Sequence, residues 1–165
     1  MARTDSFFIR AQVLTDGVNY NEAAIDLGAY VDALGKSVLR IHNVQVQYGT
    51  AGTYIGARSP DMVSGTQYQL TTQSQTSLVS LNNRSVVSSG SLNYNTDGAG
   101  SILSVTETLD AGPQHWTDGY LIAVEQMYLG TDQGTDSLDA VSIVLECTVE
   151  TMTQAAAMAL ALSQQ

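Results

Sequence analysis

Glu125, Glu146 and Glu150, together with Asp118, are the side chains of this 165-residue chain whose type could carry out hydrolysis. Two carboxylates flanking a glycosidic bond can cleave it, one as general acid and the other as base or nucleophile, if the fold holds them at the right separation. Glu125 with Glu146 or Asp118 is the pair a small glycoside hydrolase would use. No spacing-specific motif accompanies these acids, so nothing in the sequence assigns them roles in a reaction. Acids that simply face solvent or a neighbouring subunit are the commoner case in a chain rich in carboxylates.

Two further groups could bind rather than react. Asp132, Asp136 and Asp139 fall within ten residues, and clustered oxygen ligands suit a hard cation such as calcium. Their spacing matches no standard calcium loop, and a plain acidic turn is the commoner explanation. His115, Trp116 and Tyr120 could form an aromatic platform for a sugar, an interface anchor, or a cover over the end of a core. Cys147 is the one cysteine, so no disulfide can close within the chain. It stands on the apolar side of an alternating segment, where a thiol behaves as a small buried hydrophobe. His42 has no second His or Cys at metal-ligand spacing. The sequence contains no phosphate loop, dinucleotide fingerprint, HExxH or nucleophile elbow. Asn83-Arg84-Ser85 matches a glycosylation acceptor, but no secretory signal precedes it. No residue is assigned a catalytic, cofactor-binding or metal-binding role, and no cofactor is expected.

Composition narrows the function further. The chain carries 16 acids against 6 bases, a formal net charge of -10. The bases are Arg3, Arg10, Lys36, Arg40, Arg58 and Arg84, scattered with no two adjacent. Nucleic-acid binders neutralise phosphates with a basic stripe or arm, so direct nucleic-acid binding is not expected. Charged residues make up only 13% of the chain, while 44% is hydrophobic. The surface must therefore be built largely from Ser, Thr, Gln, Asn and Gly, which repel neighbouring copies weakly. The opening residues lack the apolar core of a secretory signal, and no apolar run is long enough for a transmembrane segment. Synthesis and folding in a cytoplasm are expected.

The elements that must position these residues read mostly as strands, because the dominant hydrophobic period is two. Phe7, Ile9, Ala11 and Val13 share one face. Ile25, Leu27, Ala29 and Val31 alternate next and read as a second strand. The segment from Val38 to Tyr48 changes phase: Leu39 and Ile41 are apolar at odd positions, Val44, Val46 and Tyr48 at even ones. One extra residue at His42-Asn43, a β-bulge, restores a common face. Gly49 to Gly65 reads as a long exposed loop. Short strands follow around Tyr68–Leu70, Leu78–Leu81, Ser85–Val87 and Leu92–Tyr94, and another near Leu103–Leu109. Ala111 to Gly119 reads as a loop, Tyr120 to Leu129 as a central strand covered on both sides, and Val141 to Glu150 as the most regular strand. The end, with Ala155 to Leu162 rich in Ala and Leu, is a short helix. It is too short to be stable alone and must dock.

The segments Phe7–Arg10, Ile25–Val31 and Val38–Val46 look like the opening strands of a capsid-type subunit, and Tyr120–Glu125 and Val141–Glu150 like its closing ones. The chain resembles small single jelly-roll viral major capsid proteins of the marine or archaeal virus type, with the terminal helix as a departure from the bare jelly roll. That resemblance implies a subunit that self-assembles into a virus capsid or a related shell or tube, located in the virion and assembled in the host cytoplasm. Its partners would be copies of itself and other virion proteins. The expected fold is all-β: an antiparallel sandwich, a single jelly roll of about eight strands over residues 1–150, with a C-terminal helix over 151–165 on the same domain or a neighbour. The alternative function is a β-sandwich carbohydrate-binding or adhesin-like surface module.

Overall fold

Alternation fixes which side of each strand is apolar, and burying those sides against one another gives two packed sheets. The computed structural model describes residues 4–17, 19–32, 36–49, 63–97, 102–108, 114–133 and 140–165. Among them run β1 (Phe7–Leu14), β2 (Asn21–Asp26), β3 (Ser37–Tyr48), β4 (Val63–Thr71), β5 (Val86–Thr96), β6 (Ile102–Thr108), β7 (Gln114–Ile122), β8 (Gln126–Gln133), β9 (Ala140–Thr151) and α1 (Gln154–Ser163).

One sheet has the order β1-β9-β3-β7 and the other β2-β8-β4-β5-β6. All pairs are antiparallel, and β1 lies with β9, β2 with β8, β3 with β7, and β4 with β5. A long hairpin wrapped on itself in this way is a jelly roll. The additional strand β6 extends the larger sheet beyond β5. The core between the sheets is filled by Leu39, Ile41, Val44, Tyr68, Leu70, Ile122, Met127, Leu129, Ile143 and Leu145, all essentially inaccessible to solvent.

The phase change in β3 is a bulge where the sequence places it. The register against both β7 and β9 shifts between Ile41 and Asn43, leaving His42 as the extra residue. Leu39, Ile41 and Val44 consequently all reach the core. Opposite the bulge, four residues of β7, from Trp116 to Gly119, lie between the partners of Asn43 and Ile41. Gly119 adopts φ +73°, and a Cβ there would lie 2.6 Å from Cγ of Arg40, so only glycine fits.

Several segments depart from the expected pattern. The second strand begins at Asn21 and ends at Asp26; Gly28 to Tyr30 turn instead. The backbone N–H groups of Tyr30 and Val31 both donate to the Leu27 carbonyl, and the Asp26 side chain accepts from Gly28 N–H at 2.9 Å. A side chain that caps its own turn removes the reason to continue a strand. The single strand expected over Tyr120–Leu129 is two strands in different sheets. β7 ends at Ile122, Ala123 to Glu125 cross over, and β8 starts at Gln126. Apolar residues on both faces here reflect a crossover through the core edge, not a central strand. The loop expected over 111–119 already forms β7 from Gln114, whereas Leu78–Leu81 forms no strand. The short strands near Ser85–Val87 and Leu92–Tyr94 are one strand, β5. Most of the expected loop Gly49–Gly65 lies outside the described residues.

The helix closes one end of the sandwich. Ala157 and Ala161 pack with Val38 at the start of β3 and Ala123 in the crossover, flanked by Leu121, Met152 and Leu160. Thr153 caps α1 by accepting from Ala156 N–H at 3.3 Å. No helix among the described residues is long and apolar enough to cross a membrane.

Candidate functional site

The acids singled out by type do not converge. Glu150 and Glu146 sit on the outer side of β9, and each is already tied to a neighbour on β3. Arg40 holds Glu150 with two parallel bonds, Nε to Oε1 at 2.6 Å and Nη2 to Oε2 at 2.8 Å. A third donor of the same guanidinium, Nη1, reaches the Asp118 carbonyl on β7. The Arg40 guanidinium pKa is raised, chiefly because the Glu150 carboxylate accepts its hydrogen bonds. Asn43 donates its amide to Glu146, and His42 Nε2 lies 3.0 Å from the Thr148 hydroxyl. Asp118 accepts here through its backbone carbonyl, and its carboxylate charge adds a smaller push to the Arg40 pKa. These contacts cross-link β7, β3 and β9 on the outer face, which is a structural use of the acids.

Glu125 is exposed in the crossover between the sheets, apart from this cluster. Asp132 lies in β8, while Asp136 and Asp139 fall outside the described residues. Among the described residues no group of three or more His, Cys, Asp or Glu is placed to hold a metal ion. Trp116 and Tyr120 lie with ring centroids 5.5 Å apart, both half-buried against the core, and His115 beside them is exposed. The Asn83 side chain accepts from Ser85 N–H at 3.0 Å and from its hydroxyl at 2.8 Å, so the glycosylation-like triplet builds a turn.

Cys147 is fully buried in the core, facing the opposite sheet. Burial, and secondarily the charge of Glu146, pushes its thiol pKa from 9.0 up to about 12. Burial likewise raises the Tyr20 hydroxyl from 10.0 to about 12. Both groups are neutral in the folded state at pH values where the unfolded chain would ionise. Their contribution to stability is therefore complete below pH 9 and lost as pH rises toward 12. Native protein at pH 8 is expected to resist iodoacetamide, with modification of Cys147 by mass spectrometry only after denaturant is added. Denaturant midpoints are expected to fall between pH 9 and 12. Rapid native labelling, or a flat alkaline profile, would contradict this placement.

Two anchoring networks were not visible in the sequence. On the outer face of the larger sheet, Gln69 is fully buried although it points away from the core. Its amide donates to the Tyr20 hydroxyl at 2.9 Å and the Ser77 carbonyl at 3.0 Å, and its oxygen accepts from Val79 N–H at 2.8 Å. Glu22 accepts from Ser74, from Gln75 N–H at 3.0 Å and from Tyr20 at 3.2 Å. Together they fasten the β4–β5 connection onto the sheet. The Tyr20 ring lies over Gly130, where a Cβ would come 2.0 Å from its hydroxyl oxygen.

The second network is at α1. Gln164, 4% exposed, accepts from Ala123 N–H at 2.9 Å and donates to the Leu121 carbonyl at 2.6 Å, completing the backbone pairing that the crossover lacks. Its own carbonyl accepts from the Thr72 hydroxyl at 2.7 Å. Helix, crossover and the residue following β4 are thereby joined. A cleft of about 460 Å³ opens beside this joint, lined by Gln73, Val124, Glu125, Gln126, Tyr128 and Ala161 among others.

The remaining surface feature is apolar. Phe8 and Leu14 project outward from β1, and Met158 and Leu162 from α1, each 43% or more exposed. Arg10 lies over the Phe8 ring, 5.8 Å from its centroid.

No protein-family model matches the chain, and no curated protein matches it. Among solved structures it is similar to Desmodium yellow mottle tymovirus, with 10% identity and a TM-score of 0.34 over 89% of this chain and 87% of that one. It is similar to the empty head of turnip yellow mosaic virus, with 12% identity and a TM-score of 0.29 over 90% and 82%. It is also similar to dimeric latent PorU from Porphyromonas gingivalis, with 10% identity and a TM-score of 0.33 over 84% of this chain and 13% of that one. The jelly roll rests on the strand pairing of this chain itself; likenesses at these scores add nothing about what it does.

Proposed function

We propose that the chain is a structural subunit, not an enzyme, that self-assembles through repeated homotypic contacts into a virus capsid or a related shell or tube. In this reading residues 1–150 form the jelly roll, and 151–165 form a helix that packs on the same domain while offering its outer side to a neighbour. The small single jelly-roll capsid proteins of marine or archaeal viruses are the type it fits, with the virion as its location, the host cytoplasm as its site of assembly, and other virion proteins as further partners.

The observation that carries the reading is where apolar surface is left uncovered. Four of the seven large hydrophobic side chains left exposed among the described residues belong to β1 and α1. The segment from Thr151 to Gln165 contains no charged residue at all. On a subunit of net charge -10, copies repel one another at long range, so contact is cheapest at Met158 and Leu162 of the uncharged helical segment, while on β1 the Arg10 cation lies over Phe8. Heterologous use of two such patches propagates into rings, shells or tubes. The scattered bases support packaging without direct nucleic-acid contact.

Purified protein is expected to form large particles by light scattering and negative-stain microscopy. Introducing charge with Met158→Asp and Leu162→Asp together is expected to abolish them, leaving a folded species of 17.5 kDa. A parent protein that stays monomeric at high concentration would overturn the reading.

A further inference from the structure

We propose that the cleft between α1, the crossover and the β4–β5 connection binds a neutral saccharide. This goes beyond assembly and uses none of the apolar contact residues.

The cleft is built on fixed walls. Gln164 ties α1 to the crossover, and Glu22 holds Ser74 and Gln75 on the opposite side. Ala123, Val124 and Ala161 give the lining an apolar part, and the half-buried Tyr128 belongs to it as well. Thr72 and Ser74 spend their hydroxyls on Gln164 and Glu22. Among the described residues of the lining, the Glu125 carboxylate, the Gln73 and Gln165 amides and the donor side of the Gln126 amide remain for a ligand. Gln126 uses its oxygen to accept from the Tyr128 hydroxyl at 2.8 Å.

The chemistry of these groups selects the ligand class. A carboxylate accepts two hydroxyls of a vicinal diol through short charge-assisted bonds. Side-chain amides supply the complementary donors and acceptors for ring and neighbouring hydroxyls. An aromatic ring together with apolar lining suits the C–H face of a pyranose. An anion would meet Glu125 and the net charge of -10. A compact cation would lose its hydration against a single carboxylate, which is too little compensation. The volume of about 460 Å³ lies within the roughly 300–1,000 Å³ of ligand clefts.

The test is an array of neutral hexose and N-acetylhexosamine oligosaccharides probed with the assembled parent protein, followed by titration of the tightest-binding oligosaccharide against variants. Glu125→Gln and Tyr128→Ala are each expected to weaken binding on the order of ten-fold or more, from loss of a charge-assisted bond or of ring contact. Trp116→Ala is expected to leave it unchanged. Tyr128→Phe, which keeps the ring, is expected to retain binding and separates ring contact from misfolding. No binding to any member of the array overturns the proposal, as does binding that survives both Glu125→Gln and Tyr128→Ala, or that is lost in Trp116→Ala instead. Particle formation is scored in the same samples. Particles without sugar binding sink this inference alone, and sugar binding by a monomer sinks the assembly reading alone.

Discussion

Arg40→Ala is expected to destabilise the subunit by about 3–5 kcal/mol, lowering the melting temperature by roughly 6–20 °C. Arg40 and Glu150 side chains are 13% and 6% exposed and form a two-bond fork. Removing the cation takes both fork bonds from a carboxylate held away from water, and it also frees the Asp118 carbonyl on β7. The stem of Arg40 packs under Gly119, so the bulge loses its support as well. Arg40→Lys keeps the charge but cannot make the planar fork, and an intermediate loss is expected. The double variant Arg40→Met, Glu150→Leu is expected to be more stable than Arg40→Ala, because no charge remains buried. Urea denaturation of the four proteins checks this. Equal stability of Arg40→Ala and the parent would show that the pair is solvated and of little consequence.

The second large effect is expected at Gln164→Ala, at about 2–4 kcal/mol, because two backbone groups that are buried or nearly so lose their partners. Ala123 N–H and the Leu121 carbonyl lie where the chain leaves one sheet for the other, so no strand can replace the glutamine. Hydrogen exchange at Ala123 is expected to accelerate, and α1 to become accessible to protease. If α1 supplies subunit contacts, the same substitution is expected to reduce particle yield although Gln164 itself faces inward. Unchanged exchange at Ala123 and unchanged yield would mean that the apolar contacts of Ala157 and Ala161 hold the helix unaided.

Both side chains illustrate where the sequence stops being informative. Arg40 and Glu150 are 110 positions apart, and Gln164 is 41 from Ala123. Each becomes a partner only once β3 is set in register against β9 and the crossover is placed beneath α1. Gln69 reads as one more polar residue in a polar stretch; its burial depends on a connection that folds back over its own sheet. The aromatic pair Trp116 and Tyr120 was legible as a feature, but only packing places it against the core edge.

What the sequence determined by itself was local and periodic. Alternation in Phe7–Val13 and Val141–Val149 marked core strands, and the phase slip after Ile41 marked the bulge at His42, because a side-chain period of two leaves no other way to keep both halves facing inward. Alanine and leucine after Thr153 marked the helix. Tertiary structure alone decided the rest: the split of Tyr120–Leu129 between two sheets, the pairing of Glu150 with Arg40, and the cleft beside Glu125. Hydrophobic period reports which face of a segment is buried; it carries no record of which distant segment buries it.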